Sequence, residues 1–252
     1  MKKIGLLLLT FWWMISPAQE IREVTDDQAY EAVRALNNTV LHVLENYFFY
    51  LQGVDPEHTS AQLDESIALS QNHLLTLEQY TLRHPGHSAY FQQTAAYWTG
   101  IRNKCVHTPV KGMEQKLLQY YDRLAQTLRH WAKQIKPGMR EQSPSEMLPD
   151  YAAGLHYLSL LYILYERTGD TRFKTLLEAK LSIFNVRNNK FWSMLFNNEK
   201  ADKSRLNELA SRIRRFRKII RKKQTEPEDV YTESFAITEG LEKLINLTSK
   251  EH

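Results

Sequence analysis

The sequence predicts an all-α chain built as two tandem up-down four-helix bundles. Three observations carry that expectation. Apolar residues recur at alternating steps of three and four along most of the chain, the spacing of one helical face, and no stretch alternates apolar with polar residues as a strand would. Glycine- and aspartate-containing breaks interrupt the periodic runs at YLQGVDPEH, residues 50–58, and at YERTGDTRF, residues 165–173. These breaks belong to an internal repeat: at one ungapped offset of about 115 residues, Tyr47 meets Tyr162, Tyr50 meets Tyr165, Asp55 meets Asp170, Leu69 meets Phe184 and Ile101 meets Phe216. A tetratricopeptide-type solenoid is the competing architecture, but its period of about 34 residues is not that of the echo.

Each element has its own local warrant. Thr25-Asp26-Asp27-Gln28 is a capping box, and after it Tyr30, Val33, Val40, Leu44, Tyr47 and Leu51 form an apolar seam with Asn37 in its one polar slot. An asparagine in such a seam is expected to set register. Gly53 to Pro56 ends this helix. A second helix opens at Thr59, carries Leu63, Ile67, Leu74 and Leu77 and runs to about Arg83. HPGH, residues 84–87, is the next turn. A third helix carries Tyr90, Tyr97, Trp98 and Ile101, and a fourth, after Pro109, carries Leu117, Tyr121, Leu124, Leu128, Trp131 and Ile135. Residues 137–149 hold Pro137, Pro144 and Pro149 and are expected to link the two bundles, 19–136 and 150–252. The second half repeats the plan. A helix runs from about Tyr151 to Arg167, and others pass through Phe173 to Phe184, Leu206 to Ile220 and Val230 to Leu244, with an extra segment around residues 191–196.

At 252 residues the chain accommodates two domains. Lys2 and Lys3, the apolar run Ile4 to Ile15 and Ser16-Pro17-Ala18 form an export signal over residues 1–18, cut before Gln19. The apolar run falls short of the roughly 20 residues a spanning helix needs. The expected location is periplasmic or secreted. Cys105 is the single cysteine, which excludes an internal disulfide and a thiolate metal cluster. The formal net charge of +4 hides a segregation. Residues 20–101 carry 11 acidic and 3 basic residues, whereas residues 172–223 carry 4 acidic and 16 basic.

LQGVDPEHTSAQLDESIALSQNHLLTL, followed by YFQQTAAYWTGIR, resembles the N-terminal sensor domain of type IV pilus methyl-accepting chemotaxis transducers, the PilJ-like family, related to nitrate and nitrite sensor domains. YILYERTGDTRFKTLLEAKLSIF, continuing through ESFAITEGLEKLINLTSK, resembles a second copy. The resemblance implies a non-enzymatic, sensor-like binding protein accessory to an envelope sensing system. In the family the first helix carries a stretch close to AGRQRMLSQR, whose arginines contact the anion; the corresponding stretch here is VRALNNTVLH, residues 33–42. The resemblance therefore places ligand contacts at Arg34, Asn38 and His42. None of the motif arginines is in register, and these residues supply one permanent charge per chain, so nitrate is not an expected ligand. A homodimer pairing two first helices would bring two copies of Arg34 together.

No Glu-x-x-His pair of the di-iron kind, no HExxH, GxGxxG, P-loop or GxSxG elbow is present, which argues against enzyme chemistry, and no cofactor is expected. His84 and His87, with His73 or His107, are the histidines considered for a metal, although a turn with polar ends accounts for them. Trp98, Trp131 and Trp192 fall at apolar positions and are expected in the core. RIRRFRKIIRKK, residues 212–223, is basic at eight of its twelve positions. Export argues against nucleic acid as its partner. An adaptor function would instead dock an acidic envelope protein or an anionic membrane surface on the helix at 203–223, through Arg212, Arg215, Lys218 and Lys222.

Overall fold

The structure is a computed structural model that describes residues 23–105, 112–138, 143–198, 201–222 and 225–249. The segment 1–18, expected to be an export signal, and His107 and Pro109 lie outside the described residues. Among the described residues there are eight α-helices, one 3-10 turn and no strand. The helices are α1 (Asp26–Leu51), α2 (Pro56–Arg83), α3 (Ser88–Cys105), α4 (Glu114–Ile135), α5 (Pro144–Thr168), α6 (Thr171–Asn197), α7 (Lys203–Ile219) and α8 (Pro227–Ser249). The chain is all-α, as the periodicity predicts.

Local chemistry sets the element ends. The Thr25 hydroxyl accepts from the Gln28 amide at 3.2 Å, and the Gln28 side chain accepts from the Thr25 amide at 3.0 Å, so α1 opens on a complete capping box. At its far end Gly53 (φ +75°) and Asp55 (φ +35°) reverse the chain. Asp55 is the one non-glycine residue with positive φ among the described residues, and aspartate is one of the few side chains that visit that region. Its carboxylate caps α2 through the His58 amide. The second break is built from the same parts: Gly169 takes φ +67°, and Asp170 caps α6 through the Arg172 amide at 2.9 Å.

Four boundaries differ from the sequence expectation. α2 opens at Pro56 and not at Thr59, with proline at the first helical position after the Asp55 cap. α5 begins at Pro144, more than a turn before Tyr151, because Ser143 and Glu146 form a second complete capping box with proline at the first helical position. The stretch 137–149 is thus helical from Pro144 onward, and Pro149 lies inside α5, where it removes the amide that would bond the Ser145 carbonyl. Residues 191–196 continue α6 instead of enlarging a turn. The basic run outlasts its helix, since α7 ends at Ile219.

α1 and α5 are the central helices. α1 packs against α2, α4 and α5, and α5 against α1, α6 and α8; α3 pairs with α4, and α7 with α8. Both central helices are buried on nearly all faces. Besides its seam, α1 buries Leu36, Leu41, Val43, Phe48 and Phe49, each at most 1 % exposed, and α5 buries every residue from Leu155 to Leu164. A helix apolar all round needs partners on every side, and α1 and α5 supply one of those sides to each other. The buried side chains form one continuous core through both halves. Trp98, Trp131 and Trp192 lie within it, as expected. No helix among the described residues is long and apolar enough to cross a membrane.

Cys105, at the end of α3, is buried, and desolvation pushes its thiol up to about 12. Because the thiolate is the reactive form, iodoacetamide at pH 8 is expected to leave the native protein unmodified and to label it completely in urea. Mass spectrometry checks this, and native-state labelling at the rate of free cysteine would disprove it.

Candidate functional site

Two constructions between the helices concentrate polar chemistry. The first is a cleft of about 340 Å³ between α1, α4 and the first turns of α5. Tyr30, Val33 and Leu128 supply apolar wall, and Arg34, Arg129, Lys133 and Lys136 supply four cations against the single acid Asp150. Arg34 is 7 % exposed. Its guanidinium donates to the Glu146 carbonyl, lies 4.0 Å from Glu31 and sits 5.5 Å from the centre of the Tyr30 ring. Lys136 pairs with Asp27, which raises its pKa, and sits 5.1 Å from the same ring centre. Arg129 and Lys133, one turn apart on α4, make no ion pair among the described residues. Asn37 lines the cleft and accepts from the Tyr121 hydroxyl at 3.2 Å, joining α1 to α4.

The second construction is a buried polar network where α1, α5 and α8 meet. Glu45 and His156 are both fully buried, with Glu45 Oε2 2.6 Å from His156 Nδ1. His42 Nδ1 lies 4.0 Å from the same oxygen, and its ring centre is 4.2 Å from that of His156. Burial, and after it His156, lowers the pKa of His42 well below the ordinary imidazole range. From α8, Ser234 Oγ donates to Glu45 Oε1 at 3.3 Å, and Thr238 Oγ1 is 3.0 Å from His156 Nε2. Tyr231 donates to Asn46 at 3.2 Å, and Asn46 donates to the His42 carbonyl at 2.8 Å.

The residues assigned by resemblance are divided between these places. Arg34 lines the cleft; His42, two turns on and about 12 Å further along the axis, belongs to the buried network. Asn38 lies between them, its Oδ1 buried without a hydrogen-bond partner. The basic helix divides as well. Arg212 and Arg215 pair with the buried Glu233 of α8 at 3.7 and 3.3 Å, whereas Lys218 and Lys222 share an outer surface with Arg214, Arg217 and Arg221. In the HPGH turn, His84 stacks on Tyr80 at 4.2 Å and His87 Nδ1 accepts from Trp131 Nε1 at 3.2 Å.

The His87 bond has a pH consequence. Nδ1 accepts only when the imidazole is neutral, and burial, then His84, lower the His87 pKa against the opposing effect of Asp26. A base whose pKa falls on folding binds its proton better when unfolded. Its contribution is therefore present above the ordinary value of about 6.5 and is lost as pH falls below it. The urea midpoint is expected to drop between pH 7.5 and 5.5, and His87→Gln to remove part of that drop. A drop of the same size in His87→Gln would dissociate it from this bond.

Glu45 and His156 were not singled out by sequence reasoning. Their signal was present: Glu45 is the only acid between Val40 and Leu51, and His156 the only imidazole in the long apolar run 151–165. An ionisable residue inside an apolar helical run needs a buried partner. No family model, no curated protein and no solved structure matches this chain.

Proposed function

We propose that this chain is an exported, non-enzymatic, sensor-like binding protein of PilJ-like type, accessory to an envelope sensing system, that takes a small organic anion in the cleft between α1 and α4. The observation that carries the reading is the cleft itself: it includes Arg34, gathers three more cations from α4 and the turn after it, and has apolar wall for the body of a ligand. Its volume lies at the low end of small-molecule sites. The proposed architecture is two four-helix bundles that share α1 and α5 as a common wall. It draws support from recurring contacts: α1–α2, α3–α4 and α1–α4 in the first half correspond to α5–α6, α7–α8 and α5–α8 in the second.

Nitrate has no apolar body for the wall of Tyr30, Val33 and Leu128, so it is not the expected ligand. Thermal unfolding with a panel of carboxylates, phosphates, nitrate and nitrite tests both statements. A ligand at a hundred times its Kd adds about 2.7 kcal/mol, a melting shift of several degrees for a chain this size. The expected result is such a shift with an organic anion, abolished by Arg129→Ala with Lys133→Ala, and none with nitrate. A nitrate shift lost in Arg34→Ala would overturn the ligand class, and no shift with any anion would remove the cleft as the binding site.

A second reading, an adaptor that docks an acidic partner or an anionic membrane, is favoured by the outer surface at Lys218, Lys222, Arg214, Arg217 and Arg221. Binding to anionic vesicles through that surface is expected to fall steeply with salt. Binding that is insensitive to salt and unchanged on neutralising those residues would exclude it.

A further inference from the structure

We propose that His42, Glu45 and His156 bind one divalent transition-metal ion of the zinc class, held between α1 and α5. The three donor atoms all lie within 4.8 Å of one another.

The hydrogen bonds around the triad fix which atoms face inward. The Thr238 hydroxyl has two partners, the Ser234 carbonyl at 3.1 Å and His156 Nε2 at 3.0 Å; with its one proton on the carbonyl, its oxygen accepts from Nε2. In that tautomer His156 carries its proton on Nε2, and its Nδ1 presents a lone pair to Glu45 Oε2 at 2.6 Å, the arrangement a metal ligand requires. Both atoms are fully buried, and neither has a partner of hydrogen-bond geometry. Two lone pairs at that distance repel unless a positive species lies between them, and no Lys or Arg pairs with Glu45 among the described residues. A shared proton would serve two atoms. It would not account for a third donor, His42, converging on the same oxygen.

Ligand atoms of a tetrahedral zinc site are about 3.3 Å apart. The 2.6 Å pair must open slightly and the 4.0 Å pair must close, movements that small side-chain rotations supply. The outer atoms of two ligands already face hydroxyls of α8, Glu45 Oε1 that of Ser234, whose proton is shared with the Tyr231 carbonyl, and His156 Nε2 that of Thr238, the kind of supporting shell that orients metal ligands. The His42 side chain is 21 % exposed, which gives an ion a way in and a water the fourth position. Two imidazoles and one carboxylate suit zinc, cobalt, nickel or copper, not calcium or magnesium, which require oxygen ligands.

The test uses the whole purified chain, stripped with chelator and titrated with zinc or cobalt. Expected are one equivalent of zinc bound in competition with a chromophoric chelator, intense cobalt ligand-field bands of a four- or five-coordinate site, and a melting temperature raised by several degrees. His42→Ala and Glu45→Gln should each weaken binding at least a hundredfold, and Thr238→Val ten- to a hundredfold. His84→Gln with His87→Gln should leave binding intact. Circular dichroism confirms that each variant is folded, and Glu45→Gln, which keeps the side-chain volume, stands in if His42→Ala does not fold. Absence of cobalt bands with a zinc-independent melting curve would assign the Glu45–His156 pair to a shared proton and overturn the proposal. So would zinc binding that survives both His42→Ala and Glu45→Gln, or that is lost with the HPGH histidines.

Discussion

Trp131→Ala lowers the melting temperature by roughly 6–20 °C. The indole is fully buried on α4, its ring is parallel to Tyr90 within 13° at 6.2 Å between centres, and its Nε1 donates to His87. Truncation removes the buried aromatic surface, leaves a cavity the surrounding helices cannot fill, and deprives His87 Nδ1 of its donor. Large aromatic-to-alanine changes in cores cost about 3–5 kcal/mol, and for chains of this size each kilocalorie moves the midpoint by about 2–4 °C. Scanning calorimetry measures it directly. A shift below about 2 °C would mean that the α3–α4 side unfolds independently of the transition observed, contrary to one continuous core.

The second large effect is non-additive. With chelator present a proton takes the metal's place between Glu45 and His156, and His156→Leu is expected to destabilise by about 3–5 kcal/mol, because it leaves the Glu45 carboxylate buried opposite an apolar side chain with Ser234 as its remaining donor. Glu45→Leu in the same chain removes the orphaned charge, and the double variant should recover most of the loss, since well-packed apolar replacements of buried ion pairs are often neutral or stabilising. A urea double-mutant cycle reports the coupling. If the two costs simply add, Glu45 and His156 are not partners in solution.

The periodicity of single helices was sufficient to find all eight of them, because each hides at least one face and each face writes a three-four pattern. Its limit appears at α1 and α5. The seam Tyr30, Val33, Val40, Leu44, Tyr47 and Leu51 accounts for one face of α1, but Leu36, Leu41, Val43, Phe48 and Phe49 lie off that face and are equally buried. Those off-seam residues recorded a further partner, and nothing local states that the partner is α5. The linker reading of 137–149 gave three prolines priority over the Ser143–Glu146 capping box, whose pairing with Pro144 marks a helix start.

Candidate sites were less legible for the same reason. Arg34 could be named from its place on α1, but the cations that join it come from α4 and the turn after it, some 100 positions later in the chain. Glu45 and His156 are each conspicuous in an apolar run, and only the packing of α1 on α5 makes them neighbours. The resemblance to an anion motif points to His42, whereas its geometry places it beside an acid and a second imidazole.

The hydrogen bond from Ser234 to Glu45 joins residues 189 positions apart. A ribosome releases α1 long before α8, so the carboxylate at the centre of the molecule is made early and receives its last neighbours late. Until then α1 carries an uncovered apolar flank with a charge in the middle of it. Contacts of such separation are slow to close, and partly assembled chains with exposed apolar faces aggregate. Most of that flank is closed by α5, and the last helix adds the hydroxyl that faces the carboxylate, so a chain stopped before residue 227 would leave Glu45 without its Ser234 neighbour.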